Sequence, residues 1–330
     1  MSKIEAGKPN AKALIELRGL RKLFGSRAAL DTLDLIVPHG EIFGLLGHNG
    51  AGKSTAIGIM LGQVWPAAGE VRVCGYDVTR DRGRALARVG AIFETPVFYD
   101  YLSGYRNLEA FAQYSAPTSR RRILEVIEWV GLTGREQSTV RAYSHGMKTR
   151  LALAQALLPD PELLILDEPS DGLDPEGMHE MRATILRLNR ELGLTILFSS
   201  HLLAEVEQLC TRIAVLQQGK KVFEGAMADA KSSRRWVRLR VNAFEHAVRL
   251  LLELNLIEDS RNGSLIALAD GCGTDEVVRV LVAQRFNVYE IAPQEETLEA
   301  FYLSLVQRRG RDCVEHVAEP NRVEASVAKP

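Results

Sequence analysis

The sequence predicts an α/β protein with a sheet buried on both faces, a helical insertion, and a small α+β domain towards the C-terminal end. Three observations carry that expectation. Runs such as LLILD and TILFS are almost continuously apolar, which suits strands covered by helices on both sides. From Ala13 to about Gly225 such runs alternate with helical stretches. After about Ser232 the order becomes β-α-β-β-α-β, the split pattern of ferredoxin-like domains.

Residues 1–12 are polar and read as a loose N-terminus, and residues 13–228 as the α/β domain. Its strands read as LIELRG, EIFGLLG, EVRVCG, VGAIF, ELLILD, LTILFSS and RIAVLQ, short aliphatic and β-branched runs. Between Tyr105 and Leu158 the strands vanish and three helical stretches follow, so the insertion covers about 100–158. In the accessory domain, residues 232–309, WVRLRV reads as a strand and NAFEHAVRLLLEL as a helix. LIEDS and SLIALA flank Arg261-Asn262-Gly263, a hairpin turn. DEVVRVLVAQR reads as a helix, NVYEIA as a strand and EETLEAFYLSLVQRR as a final helix. Leu298, Phe301, Tyr302 and Leu305 recur on that helix at helical spacing and predict a core face. Residues 310–330 are polar and are expected to be disordered.

Composition narrows the function. A chain of 330 residues, 46% hydrophobic and 25% charged, has the balance of a soluble globular protein. A net charge of −1 supplies no general attraction to nucleic acid. Cys74, Cys210, Cys272 and Cys313 lie far apart without a C-x-x-C pair, which argues against a zinc site or a disulfide framework and for a reducing cytosol. No apolar run approaches the roughly 20 residues that cross a bilayer, and MSKIEAGKPNAK lacks the apolar core of a signal peptide. Any membrane action is expected to need a second chain.

Gly47-His48-Asn49-Gly50-Ala51-Gly52-Lys53-Ser54-Thr55 follows the strand EIFGLL and opens a helix. It fits G-x-x-x-x-G-K-[ST], the phosphate-binding P-loop. The glycines let backbone N–H groups wrap round phosphate, and the helix N-terminus adds partial positive charge. Lys53 is expected to reach the β- and γ-phosphates of ATP, and the Ser54 hydroxyl to hold Mg²⁺. Leu163-Leu164-Ile165-Leu166-Asp167 is an apolar strand ending in an acid, where such an ATPase binds Mg²⁺, usually through water. Strand side chains alternate, so Glu168 is expected to point the other way and to act as general base on a water. LTILFSSH ends a further strand at His201, a candidate contact for the γ-phosphate or the attacking water.

The polar turn Tyr143-Ser144-His145-Gly146-Met147 precedes another helix and makes a second anion site without a second P-loop. Ser144 can also simply cap that helix.

P-loop, then YSHGM, then LLILDEPSDGLDP, then SSH: this order resembles the ATP-binding subunits of ABC transporters, over about Leu14 to Gly225. That family commonly has L-S-G-G-Q where this chain has YSHGM; Ser144 and Gly146 match, while Tyr143, His145 and Met147 depart. The resemblance implies two copies stacked head to tail, with Ser144, Gly146 and Met147 of one meeting the ATP held by the other. It implies that Asp174, in Asp171-Gly172-Leu173-Asp174, touches the opposite P-loop. Phe24 resembles the aromatic residue that stacks on adenine, a core role being the alternative. Glu94 stands where the family usually has a glutamine that binds Mg²⁺ or the nucleophilic water; it is a candidate metal ligand or only a hinge. The E-T-P-x-F-Y pattern there is similar to ATPases of bacitracin- and lantibiotic-type exporters. Phe98, Tyr99, Tyr101 and Tyr105 lie where a helix of the membrane subunit docks in the family, unless they fill the insertion's own core.

The implied protein powers export of a drug, peptide or lipid-like cargo through a separate membrane permease, on the inner face of the cytoplasmic membrane. The competing class is a non-transport ATPase of this family acting on ribosomes or nucleic acid. Those carry two P-loops in one chain, or long coiled-coil or zinc insertions; this chain has neither, and no nucleic-acid partner is expected. The accessory domain carries no catalytic motif and is expected to serve dimerisation or regulation.

Overall fold

The computed structural model describes residues 13–93, 96–115, 118–230, 235–294, 297–303 and 305. It divides into two compact units, Met1–Met227 and Ala228–Pro330.

The first unit begins with β1 (Ala13–Phe24) and β2 (Arg27–Pro38), joined by Gly25 and Ser26. β2 is a strand the sequence reading missed. It buries Leu30, Leu33, Leu35 and Val37 and leaves the residues between them more open, the pattern of a half-buried strand. A positive φ of 57° at Thr32 and shifts of register against β1 interrupt its periodicity. β3 (Ile42–Leu46) and α1 (Lys53–Met60) follow, then β4 (Ala68–Val73), β5 (Tyr76–Asp77), α2 (Arg82–Leu86) and β6 (Val89–Ile92).

The helical stretch contains α3 (Gly104–Ser115), α4 (Arg120–Trp129) and α5 (His145–Leu157). Its entry loop is stapled by Asn107, which is fully buried. Asn107 Oδ1 accepts from Tyr99 N–H at 2.9 Å, and Nδ2 donates to the carbonyls of Tyr99 and Ser103, each at 3.1 Å. The aromatic residues of this loop divide their roles. Phe98 packs edge-on against Phe111 at 6.0 Å, whereas Tyr101 is 75% exposed.

β7 (Leu163–Asp167), α6 (Pro175–Leu192), β8 (Thr195–Ser200), α7 (Leu203–Leu209), β9 (Arg212–Gln217), β10 (Lys220–Ala226) and α8 (Met227–Ala230) complete the series. The central sheet runs β10-β9-β3-β8-β7-β6, parallel except at β10. A second, antiparallel sheet runs β2-β1-β4-β5. One apolar cluster joins Phe43 and Leu45 of β3, Ile57 and Met60 of α1, and Leu17 and Leu35 of the second sheet. The P-loop helix is thus wedged into the main core, and the loop at its head inherits that rigidity.

The second unit holds β11 (Arg235–Val241), α9 (Phe244–Glu253), β12 (Ile257–Arg261), β13 (Leu265–Leu268), α10 (Thr274–Ala283) and β14 (Val288–Pro293). Its antiparallel sheet runs β12-β13-β11-β14, the ferredoxin-like order. The core comes from Val237, Leu239, Leu251, Ile266, Val277 and Leu281 among others. Leu298 is buried, but Phe301, Tyr302 and Leu305 are only half-buried and stand outside that cluster. The apolar faces of α9 and α10 already supply the helical side of this core.

Candidate functional site

The central strand β3 is buried at all five positions and delivers the chain to Gly47. The loop then turns into α1 through Gly52, whose φ is 109°. A side chain at Gly52 is impossible on two counts. The backbone is left-handed, and a Cβ would stand 2.7 Å from Ala29 O. The loop borders a cleft of about 440 Å³ lined by Phe24, Arg27, Ala29, His48, Asn49, Gly50, Gly52, Lys53, Ser54, Thr55 and Glu168. Sequence reading had found most of these. It missed Arg27 and gave His48 no role. Gly47 and Ala51 are buried beneath the loop. Phe24 is 55% exposed, with Lys22 Nζ 5.0 Å from its ring centre, which excludes the core alternative for this residue.

Lys53 is buried, yet its ammonium is well partnered. Nζ donates to Gly47 O at 2.8 Å and lies 3.2 Å from Glu168 Oε1. The other carboxylate oxygen, Oε2, is 2.9 Å from His201 Nδ1. Because an ionised carboxylate only accepts, Nδ1 carries the proton in this contact. Burial pushes the Glu168 carboxyl up, but the hydrogen bond and charge of Lys53, then those of His201, outweigh it and hold the acid below its ordinary value.

Glu168 reaches this position differently from the way strand alternation predicts. β7 stops at Asp167, and Glu168 has a left-handed φ of 48°. Its N–H donates to Ser199 O at 3.2 Å and to Ser199 Oγ at 3.1 Å. The same Ser199 hydroxyl donates to Asp167 Oδ1. Asp167 and Ser199 are register partners on β7 and β8, so one buried serine orients two successive acids. Asp167 itself is not among the residues that line the cleft.

The turn at Ser144, expected to form a second anion site, has another character. Ser144 Oγ accepts from Met147 N–H at 3.2 Å and caps α5. Asp174 Oδ1 accepts from Gly177 N–H at 2.8 Å and caps α6. The two caps are linked through His145, whose Nε2 is 3.2 Å from Asp171 O. Asp171 N–H in turn donates to Glu168 O at 3.1 Å. Gly146 lies in the first turn of α5, and a Cβ there would meet only Leu173 Cδ2, at an ordinary 3.8 Å. None of Ser144, Gly146, Met147 and Asp174 lines the cleft. Glu94 lies outside the described residues.

A family model described as ABC transporter matches residues 30–171. An uncharacterized ABC transporter ATP-binding protein of Bacillus subtilis, YhcH, is 39% identical over 295 residues, 89% of this chain and 96% of that protein. The chain belongs to the ABC transporter ATP-binding proteins. The bacitracin transport ATP-binding protein BcrA of Enterococcus faecalis is 35% identical over 296 residues, 89% of this chain and 96% of its own length. A solved ATP-binding subunit of an ABC transporter superposes with a TM-score of 0.59 at 30% identity, over 66% of this chain and 91% of that one. Members of this family are the ATP-hydrolysing subunits of transporters, and this chain is one of them. No described helix is long and apolar enough to cross a membrane.

Proposed function

We propose that this chain powers export through a separate membrane permease, and that two copies complete each other's ATP sites head to tail. The carrying observation is the convergence of Lys53, Glu168 and His201 on one point beside the P-loop. Phe24 stacks on the base, the loop from Gly47 to Thr55 cradles the phosphates, and Lys53 meets their far end. Glu168 orients and deprotonates the attacking water, with His201 holding the carboxylate from its other oxygen. Ser144, the amides of Gly146 and Met147, and Asp174 close the site from the partner copy. Gly146 supports this reading, because the space a side chain would fill is not needed by its own chain.

Magnesium fits the donors present. Ser54 offers an open hydroxyl in the cleft, and Asp167 a carboxylate fixed by Ser199. Mg²⁺ needs only one or two protein ligands when substrate phosphates and water supply the rest. The ion neutralises phosphate charge when bound. Glu94 remains a proposed further ligand.

The permease docks at the loop carrying Tyr99 and Tyr101, which are 48% and 75% exposed while Asn107 holds the backbone behind them. That arrangement suits a coupling surface on the inner face of the cytoplasmic membrane. The similarity to BcrA favours a peptide antibiotic as cargo. The accessory unit serves subunit contact. The test is co-purification from membranes followed by ATPase assay. A multi-spanning membrane protein that stimulates turnover is expected. Recovery of ribosomes or DNA in its place would favour the non-transport class.

A further inference from the structure

The cleft holds a second cation besides Lys53. Arg27 begins β2 directly opposite Phe24 on β1, as register partners across Gly25-Ser26. Residues directly opposite in an antiparallel pair carry their side chains on the same face. Ring and guanidinium accordingly project together, and both line the cleft. The guanidinium also rests on the P-loop, since a Cβ at Gly50 would lie 3.4 Å from Arg27 Nη2.

Its strand is pinned in place. Asp31 N–H donates to Gly219 O at 2.9 Å, and Gly219 N–H to Ala51 O at 2.9 Å, so β2 and the P-loop share one backbone network. The acid on that strand is taken by others. Asp31 is 3.3 Å from Arg21 Nε and 3.1 Å from Lys220 Nζ. Among the described residues Arg27 has no acidic partner. Lys53, by contrast, is committed to Gly47 O and Glu168. The cation free to meet an arriving polyphosphate is therefore Arg27, and a guanidinium is always charged and suited to two-point contact with phosphate.

We propose that Arg27 is a phosphate-binding residue for the nucleotide, gripping the part of the polyphosphate that ADP and ATP share, next to the base held by Phe24. This rests on the ATP-site reading. Arg27 then selects for phosphorylated nucleosides and sets affinity, while Lys53 and Glu168 respond to the terminal phosphate.

The experiment is calorimetric titration of the full chain, wild type, Arg27→Ala and Arg27→Lys, with ADP and with a non-hydrolysable β,γ-imido analogue of ATP. Adenosine at millimolar concentration is followed by NMR. Arg27→Ala should weaken ADP and the analogue by the same factor, about tenfold for one lost charge-assisted contact, and leave adenosine unchanged. Arg27→Lys should recover part of the loss. Unchanged ADP affinity, a loss confined to the triphosphate, or an equal loss for adenosine would each overturn the proposal. If wild type itself binds no ADP, the ATP-site reading fails instead.

Discussion

The P-loop side and the Ser144 side of this ATPase are both made of helix N-termini, yet they are built differently. Around Lys53 the polar groups converge. An ammonium, a carboxylate and an imidazole from three separate stretches meet, with Glu168 lying 3.2 Å from Lys53 Nζ and 2.9 Å from His201 Nδ1. Around Ser144 and Asp174 the polar groups disperse. Each oxygen serves the N–H of its own helix, at Met147 and at Gly177. One side is a pocket with its chemistry assembled. The other is a pair of well-capped helix ends with little intrachain reason for a glycine at 146. The difference teaches that the second side is already satisfied within its own chain, which is why its proposed role is one played towards a partner copy.

The largest effect should come from the convergent side. Glu168→Gln removes the proposed base and keeps the shape, so steady-state ATPase activity should fall by roughly 100-fold or more. ATP binding should persist, and gel filtration with ATP should show a trapped dimer. A fall below about tenfold, or 1.4 kcal/mol of barrier, would place the base elsewhere. Lys53→Ala should weaken nucleotide binding itself, because it removes the ammonium held beside the P-loop at Gly47 O, where the proposed site meets the phosphates.

The division of labour is tested by mixing. Lys53→Ala and Ser144→Ala should each be inactive alone. Combined in one tube they should regain a fraction of wild-type activity, since a heterodimer contains one site with an intact Lys53 facing an intact Ser144. No recovery, with mixed dimers demonstrated by crosslinking, would mean both residues act within one chain.

Gly146→Ala sharpens the contrast further, because stability and activity should move in opposite directions. A methyl there meets nothing closer than Leu173 Cδ2 at 3.8 Å. Exchanging glycine for alanine in a helix should stabilise the fold, by up to about 1 kcal/mol. ATP turnover should nevertheless drop, since the methyl would stand between the α5 amides and the partner's nucleotide. A variant both more stable and fully active would remove the special role of this turn.

The same contrast explains what was legible in the sequence. The strand-loop-helix turn at Gly47 to Thr55, the acid that ends β7 and the cap at Ser144 were readable because each is set by a few consecutive residues with a fixed local geometry. The Lys53–Glu168 pair was not, because the two residues meet only through the parallel neighbours β3, β8 and β7. Strand alternation put Glu168 on the correct side for the wrong reason. Its left-handed backbone depends on Ser199, a residue two strand-lengths away that no periodicity links to it. Arg27 was hidden because β2 was unread, and without β2 there is no cross-strand partner for Phe24. The ferredoxin-like order was visible from the alternation of elements, but not which helix supplied its core.

The smallest effect is the most specific to the convergent side. Lys53 and His201 hold the Glu168 carboxyl below its ordinary value near 4.5 in the folded chain. A depressed folded value means that the ionised form favours the fold above the unfolded value, and that this contribution is lost as pH falls through the folded one. Glu168→Gln lacks it at every pH. The gap in thermal midpoint between wild type and Glu168→Gln should therefore be widest near neutrality and close as pH drops below about 4.5. The dispersed caps give the control. Ser144→Ala removes a neutral hydroxyl with no titrating partner in contact, so its midpoint should run parallel to wild type over the same range. A Glu168→Gln gap that also stays constant with pH would mean that the carboxylate is as well solvated in the unfolded chain as between Lys53 and His201, and the electrostatic distinction between the two sides would fall.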